Sequence, residues 1–208
     1  MQHTQQGFGA RAMTGGFTEA VFQSQSVFRA LMEALSRPGR LTPLAASCEP
    51  PAPLSPGAGA VALTLIDADT PTWLDRALSS EPAVAAWLSV QTGATIAGSS
   101  SDAQFAFVID AERMPALQAF AQGSQDYPDR STTLVVQLAN LSRGERLRLT
   151  GPGIETEAEI RPAGLPGHFH QQWAANRAKF PRGVDIVLVA PEGVVGLPRT
   201  TAIARQGG

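Results

Sequence analysis

The feature that most constrains the fold is residues 132–141 (TTLVVQLANL), an almost continuously apolar run rich in β-branched side chains. Such a run is typical of a β-strand that is covered on both faces. A short turn containing Gly144 follows, and residues 146–149 then alternate arginine with leucine, as in a strand with one exposed face. Residues 151–153 (Gly-Pro-Gly) end this second strand, because proline has no N–H to donate. We therefore expect a hairpin that forms the middle of a sheet, with helices packed around it.

Length, charge and cysteine content limit the class of protein. The chain has 208 residues, 43% of them hydrophobic, so we expect one domain over residues 16–208 after a loose tail at residues 1–15. The net charge of −2 provides no broad basic field for nucleic acid or an anionic membrane. No apolar run approaches the ~20 residues that span a bilayer, and the polar amino terminus has no signal core. The single Cys48 fits a reducing compartment, so we expect a cytoplasmic protein.

The first predicted helix covers residues 17–36, with Thr18 as its N-cap. Its apolar residues recur at helical spacing and are Val21, Phe28, Leu31, Met32 and Leu35. This stripe is most simply a core-facing surface. A stripe on an amino-terminal helix could equally dock a partner subunit, and the sequence leaves both interpretations open.

Helices and strands alternate along the rest of the chain. Further helices are predicted at 58–65, 80–90, 112–120 and 165–179, and strands at 40–44, 72–74, 104–109 and 154–160, with a final hairpin that turns at residues 191–193. This order predicts an α/β protein in which helices cover a mixed sheet.

The chain lacks the common catalytic motifs. It has no Gly-x-Ser-x-Gly elbow, no Cys/His zinc spacing, no phosphate-binding loop and no paired redox cysteines. A subunit that shapes a larger complex, or a binding module, is therefore favoured over a self-sufficient enzyme. Asp67 and Asp69 could hold Mg²⁺ under a nucleotide phosphate. The favoured interpretation is that they shape the turn before Pro71.

Several segments carry a resemblance to a known family. They are residues 28–39, 63–74 (LTLIDADTPTWL), 147–154 (LRLTGPGI), 180–185 (FPRGVD) and 198–201 (PRTT). Together and in this order they resemble the PhnH family, a subunit of the carbon–phosphorus (C–P) lyase system.

The resemblance implies a fold and a set of partners. The implied fold is a three-layer α/β/α arrangement around a central mixed β-sheet, similar to pyridoxal-phosphate (PLP)-dependent transferases but without PLP. One feature of the sequence agrees with the absence of PLP. PLP forms an aldimine with a suitably placed lysine, and Lys179, the single lysine of the chain, lies at a predicted helix end. The resemblance also implies a homodimer when isolated, or a place beside PhnG, PhnI and PhnJ in the core complex.

The implied function is accessory. The complex would use ATP to form ribose 1-alkylphosphonate 5-triphosphate, the α-D-ribose 1-methylphosphonate 5-triphosphate synthase reaction. The resemblance places the chemistry on PhnI and PhnJ, and assigns this subunit neither a catalytic residue nor a cofactor. Organic phosphonate catabolism is thus the expected context.

Two hypotheses follow for the matched polar residues, which are Arg148, Thr150, Asp185, Arg199, Thr200 and Thr201, with Asp67 and Asp69 as weaker candidates. In the favoured one, Arg148, Asp185 and Arg199 are buried or interfacial and pair with each other or with backbone carbonyls, because an unpaired buried charge is costly. In the alternative, the arginines and threonines converge on the anion of a phosphorylated ligand or nucleotide, with the two weaker aspartates on a metal.

Overall fold

The part of the chain that the computed structural model describes, residues 14–45 and 47–205, forms eight strands in two sheets. The strands are β1 (Thr72–Leu74), β2 (Phe105–Val108), β3 (Thr133–Gln137), β4 (Leu147–Thr150), β5 (Ala158–Ile160), β6 (Asp185–Ala190), β7 (Gly193–Leu197) and β8 (Ala202–Arg205). The central sheet has the order β1-β2-β3-β6-β7, in which β7 is antiparallel to β6 and the other neighbours are parallel. A second sheet has the antiparallel order β5-β4-β8. The predicted mixed central sheet is confirmed.

Five α-helices accompany these strands in the described residues. They are α1 (Ala20–Ser36), α2 (Pro56–Leu65), α3 (Arg76–Ser79), α4 (Pro82–Thr92) and α5 (Phe169–Arg177). Proline near the start of α2 and α4 fits a helix beginning, where no intrahelical partner needs its missing N–H. None of these helices combines the length and the apolar character that crossing a bilayer would require.

The core lies on both faces of the central sheet. On one face, α1, α2 and α4 pack with Val135 of β3, and their buried side chains include Leu31, Val61 and Trp87. On the other face, α5 and the second sheet pack with alternate residues of β3, among them Leu134. The predicted burial of this strand on both faces is therefore confirmed.

The predicted hairpin between β3 and β4 is wrong. Both edges of β3 are occupied by parallel neighbours, β2 and β6, so β4 has no place beside it. The chain after β3 turns where the Asn140 carboxamide accepts the N–H groups of Ser142 and Arg143, and it enters the second sheet. The predicted alternation within β4 is confirmed, with Leu147 and Leu149 buried and Arg148 exposed.

Several predicted boundaries also need correction. The predicted helix at 112–120 is wrong, because Pro115 lacks an N–H and separates two short 3₁₀ turns, Ala111–Arg113 and Leu117–Ala119. The predicted strand at 40–44 is an isolated bridge between Thr42 and Val194. The predicted strand at 154–160 is reduced to β5, and β8 was not predicted.

The chain around the helix starts also differs from the prediction. Thr18 is not the N-cap of α1, since the helix begins after Glu19, whose N–H is accepted by the Gln23 carboxamide. α4 begins at Pro82 rather than at residue 80, and α3 precedes it. Most of the predicted tail lies outside the described residues. Thr14 belongs to the body of the fold, since its carbonyl accepts a hydrogen bond of 2.9 Å from the Trp87 indole.

Candidate functional site

Asp185 and Arg199, two of the predicted residues, meet where β6 begins. Asp185 is the first residue of β6, and Arg199 follows the end of β7. The Nε of Arg199 donates to both carboxylate oxygens of Asp185, at 3.1 and 3.2 Å, and Nη2 also donates to Oδ2. The backbone N–H of Arg199 adds a hydrogen bond of 2.7 Å. The pair is therefore a forked, charge-assisted contact of the kind that fixes geometry.

The rest of the Arg199 guanidinium binds two loops. Its Nη1 donates to the carbonyl oxygens of Pro128 (2.9 Å) and Pro181 (3.2 Å), and its Nη2 donates to the hydroxyl of Ser131 at 2.6 Å. A guanidinium has five N–H donors, so all of them have partners within the chain. We call Arg199 and its four partners, Asp185, Pro128, Pro181 and Ser131, the Arg199 anchor. Only 13% of the Arg199 side chain is exposed.

The predicted threonines take other positions. Thr201 is fully buried; its carbonyl accepts a hydrogen bond of 2.8 Å from the Trp173 indole, and its hydroxyl has no partner among the described residues. The carbonyl of Thr200 accepts a hydrogen bond of 3.3 Å from Nε of Arg177. Thr150 is exposed at the end of β4. Thr200 and Thr201, which follow Arg199 in the chain, therefore make these contacts through their backbone carbonyls.

Arg148 is not brought together with Asp185 and Arg199. Its side chain is 49% exposed and pairs with Glu157 at 3.4 Å on the outer face of the second sheet. The alternation of β4 explains this, because the leucines on either side of Arg148 occupy the core. An exposed pair of this kind contributes at most about 1 kcal/mol.

Asp67 and Asp69 form a local turn. Oδ1 of Asp67 accepts the N–H of Asp69 at 3.0 Å and the hydroxyl of Thr70 at 3.1 Å. This is the geometry expected when an aspartate shapes a turn. Within residues 14–45 and 47–205, no group of three or more His, Cys, Asp or Glu side chains is arranged to hold a metal ion.

A crevice of about 550 Å³ opens at the carboxyl ends of β1 and β2, a site that sequence reasoning missed. We call it the β1–β2 crevice; its lining is Trp73, Asp75, Arg76, Ala77, Ser80, Asp110, Arg113 and Pro115. Asp75 is 4% exposed and accepts three backbone N–H groups, from Leu78 at 2.9 Å, Ile109 at 2.8 Å and Asp110 at 2.9 Å. It therefore joins the two strand ends. The signal that could have revealed it is an aspartate directly after a strand and at a helix N-cap.

The predicted core stripe of α1 is only partly buried. Leu31 faces the core, whereas Val21, Phe28 and Met32 are 66%, 47% and 41% exposed. Phe22, one residue along, is 73% exposed. We call Val21, Phe22, Phe28 and Met32 the α1 outer face. Clustered exposed apolar side chains mark interaction surfaces in proteins.

Cys48 is a buried thiol that donates to the Pro56 carbonyl at 3.2 Å. Burial raises the pKa of this thiol to about 11. The group is therefore protonated at neutral pH and is a poor nucleophile.

Comparison with known proteins gives consistent matches over nearly the whole chain. Residues 15–204 match the family described as bacterial phosphonate metabolism protein (PhnH). The chain is 49% identical over 193 residues to the α-D-ribose 1-methylphosphonate 5-triphosphate synthase subunit PhnH of Rhizobium meliloti (strain 1021), covering 93% of this chain and 96% of that protein. It is 33% identical over 186 residues to a putative C–P lyase subunit protein, HtxG, of Stutzerimonas stutzeri, covering 89% of this chain and 88% of that protein.

Proposed function

Since the chain belongs to the PhnH family of bacterial phosphonate metabolism proteins, we propose that it is an assembly subunit of a C–P lyase core complex in alkylphosphonate catabolism. Its partners in this proposal are PhnG, PhnI and PhnJ, and the complex forms ribose 1-alkylphosphonate 5-triphosphate from ATP and an alkylphosphonate. The names of the two relatives, a synthase subunit and a C–P lyase subunit, support this assignment.

The α1 outer face is the observation that carries the proposal. Its four side chains are 41–73% exposed, although valine, phenylalanine and methionine are among the residues that gain most from burial. Scaling a full burial value of about 1.5–3 kcal/mol per side chain by these exposed fractions gives roughly 5 kcal/mol that a partner could recover. Part of that would offset the entropy lost on association. A surface of this kind suits a protein that works in contact with others.

The Arg199 anchor supports a structural role for the matched polar residues. All donors of the Arg199 guanidinium have partners within the chain, so a phosphate could bind it only if a hydrogen bond to Asp185, Ser131 or a loop carbonyl broke first. Holding the loops that contain Pro128 and Pro181 against β6 keeps this end of the sheet in one shape.

Further parts of the proposal concern the isolated chain. We infer a homodimer in which a second copy covers the α1 outer face until partner subunits replace it. We also infer one domain over residues 16–208, a fold akin to PLP-dependent transferases, and a cytoplasmic location, which suits the buried Cys48 thiol.

Co-purification tests the assembly role. The chain is co-expressed with PhnG, PhnI and PhnJ from the same source, as wild type, as Phe28→Asp and as Val90→Asp. Val90 is the matched control, because it is an exposed apolar residue (55%) on another helix, α4. We expect the wild type and the Val90 variant to co-purify with the partners, and the Phe28 variant to be lost. Failure of the wild type to co-purify, or full retention of the Phe28 variant, would contradict the proposal.

A further inference from the structure

The β1–β2 crevice arises where the chain leaves two adjacent parallel strands in opposite directions. After β1 the chain forms α3 and α4, whose Leu78 and Trp87 pack on one face of the central sheet. After β2 it packs Leu117 and Phe120 on the other face. Connections that diverge in this way leave a gap outside the carboxyl ends of the strands, and this is the general position of ligand sites in open α/β sheets.

The crevice has the size and lining of a small-molecule site. Its volume of about 550 Å³ falls within the roughly 300–1,000 Å³ of known ligand pockets. Its apolar wall includes Pro115 and the half-buried indole of Trp73, which is held edge-on by Phe120 at a ring distance of 5.6 Å and an angle of 82°. Its polar wall includes Arg76 and Arg113.

The two acidic residues of the crevice are already compensated. The Asp75 carboxylate is held by three backbone N–H groups. Asp110 pairs with Arg113 at 3.5 Å and accepts its backbone N–H at 3.3 Å. Arg113 is 88% exposed and pairs with Asp110 through Nη1, so other donors of its guanidinium can bind a ligand while this pair is kept. Arg76 is exposed and has no acidic partner among the described residues.

We propose that the β1–β2 crevice binds a small organic anion. Its phosphate-type group would lie between Arg76 and Arg113, because guanidinium groups bind such anions through paired hydrogen bonds. The planar or apolar part of the ligand would pack on Trp73. This site goes beyond an assembly role, and it lies on a different part of the fold from Arg148 and Arg199, where the sequence suggested an anion site.

Titration of adenosine 5′-monophosphate (AMP), inorganic phosphate and adenosine into the isolated chain tests the proposal. Trp87 and Trp173 are buried, whereas Trp73 lies at the crevice, so quenching of tryptophan fluorescence by AMP would report on this site. Calorimetry measures the affinities independently. We expect AMP to bind with a dissociation constant below about 1 mM, and phosphate and adenosine to bind more weakly.

Variants locate the binding. Arg76→Ala and Arg113→Ala remove exposed side chains and are expected to fold, which the melting temperature checks. Each should weaken AMP binding about tenfold, the usual consequence of losing a hydrogen bond to a charged group. Arg148→Ala, the matched control on the second sheet, should bind as the wild type does. Trp73→Phe removes the tryptophan of the crevice lining and should therefore lose the quenching.

Three results would overturn the proposal. They are absence of AMP and phosphate binding to the wild type, unchanged binding in the Arg76→Ala, Arg113→Ala double variant, and quenching that persists in Trp73→Phe. These readouts do not depend on co-purification with partner subunits, so the ligand site and the assembly role can fail separately.

Discussion

Arg199→Ala should destabilise the fold far more than a typical arginine substitution. The change removes the partner of Asp185 and the donors for two loop carbonyls and Ser131. Breaking a buried ion pair by removing one partner costs about 3–5 kcal/mol. The lower end applies here, because 24% of the Asp185 side chain is exposed and water can reach the carboxylate. We therefore expect a loss of about 3 kcal/mol.

Urea unfolding at pH 7, followed by circular dichroism, measures this loss as a lower midpoint at an unchanged slope. In a thermal melt the same change corresponds to a drop of roughly 6–12 °C for a chain of this size. Arg148→Ala is the matched control, since its pair with Glu157 is exposed on both sides and should contribute at most about 1 kcal/mol.

A cost of less than about 1 kcal/mol for Arg199→Ala, or one no larger than that of Arg148→Ala, would contradict this prediction. A second readout separates structure from ligand binding. If Arg199 bound an external anion, millimolar phosphate would raise the melting temperature of the wild type but not that of Arg199→Ala. We expect phosphate to shift the melting temperatures of the wild type and of Arg199→Ala equally, because every donor of the Arg199 guanidinium already has a partner.

Gly153 and Cys48 give three further predictions. Gly153→Ala should lower the free energy of unfolding by more than about 1 kcal/mol, since φ is +81° and an added Cβ would clash with the carbonyl of the last residue of α1. Gly98→Ala is the control and should change this free energy little, because an added Cβ there meets open space. Equal urea midpoints for the two variants would contradict this prediction. Cys48 should react slowly with a thiol reagent at pH 8 until urea unfolds the chain, because burial raises its pKa to about 11. Rapid reaction of the native thiol would contradict this. The raised pKa of Cys48 also predicts that the free energy of unfolding falls as pH rises from about 9 to about 11.

Local patterns in the sequence predict which side chains of a strand are buried better than they predict which strands pair. The apolar run of β3 requires burial on both faces, and the alternation around Arg148 requires one solvent-exposed face. Each pattern is set by a few neighbouring residues. The pairing of β3 depends on β2 and β6, which lie far away in the chain, so the nearby turn that contains Gly144 wrongly suggests a hairpin.

The same distinction applies to the candidate sites. The sequence predicts Asp185 and Arg199 together because both lie in motif segments, and in the structure they form a hydrogen-bonded ion pair. The β1–β2 crevice could not be predicted in this way, because it exists only where the chain diverges after β1 and β2. α1 is apolar around much of its circumference, and the side that faces the sheet is the one where Ala34 can approach Gly196 closely. The larger residues of the α1 outer face are left in solvent.

The positions of the two proposed surfaces allow them to be tested against each other. α1 packs beside β7, at one edge of the central sheet, whereas the β1–β2 crevice is at the opposite edge. Docking through the α1 outer face would therefore leave the crevice open. We expect Phe28→Asp to abolish co-purification and to bind AMP like the wild type. We expect Arg76→Ala to co-purify like the wild type and to bind AMP about tenfold more weakly. Loss of both properties in either variant, with the fold intact by circular dichroism, would mean that the two surfaces are coupled and that the separation argued from the sheet order is wrong.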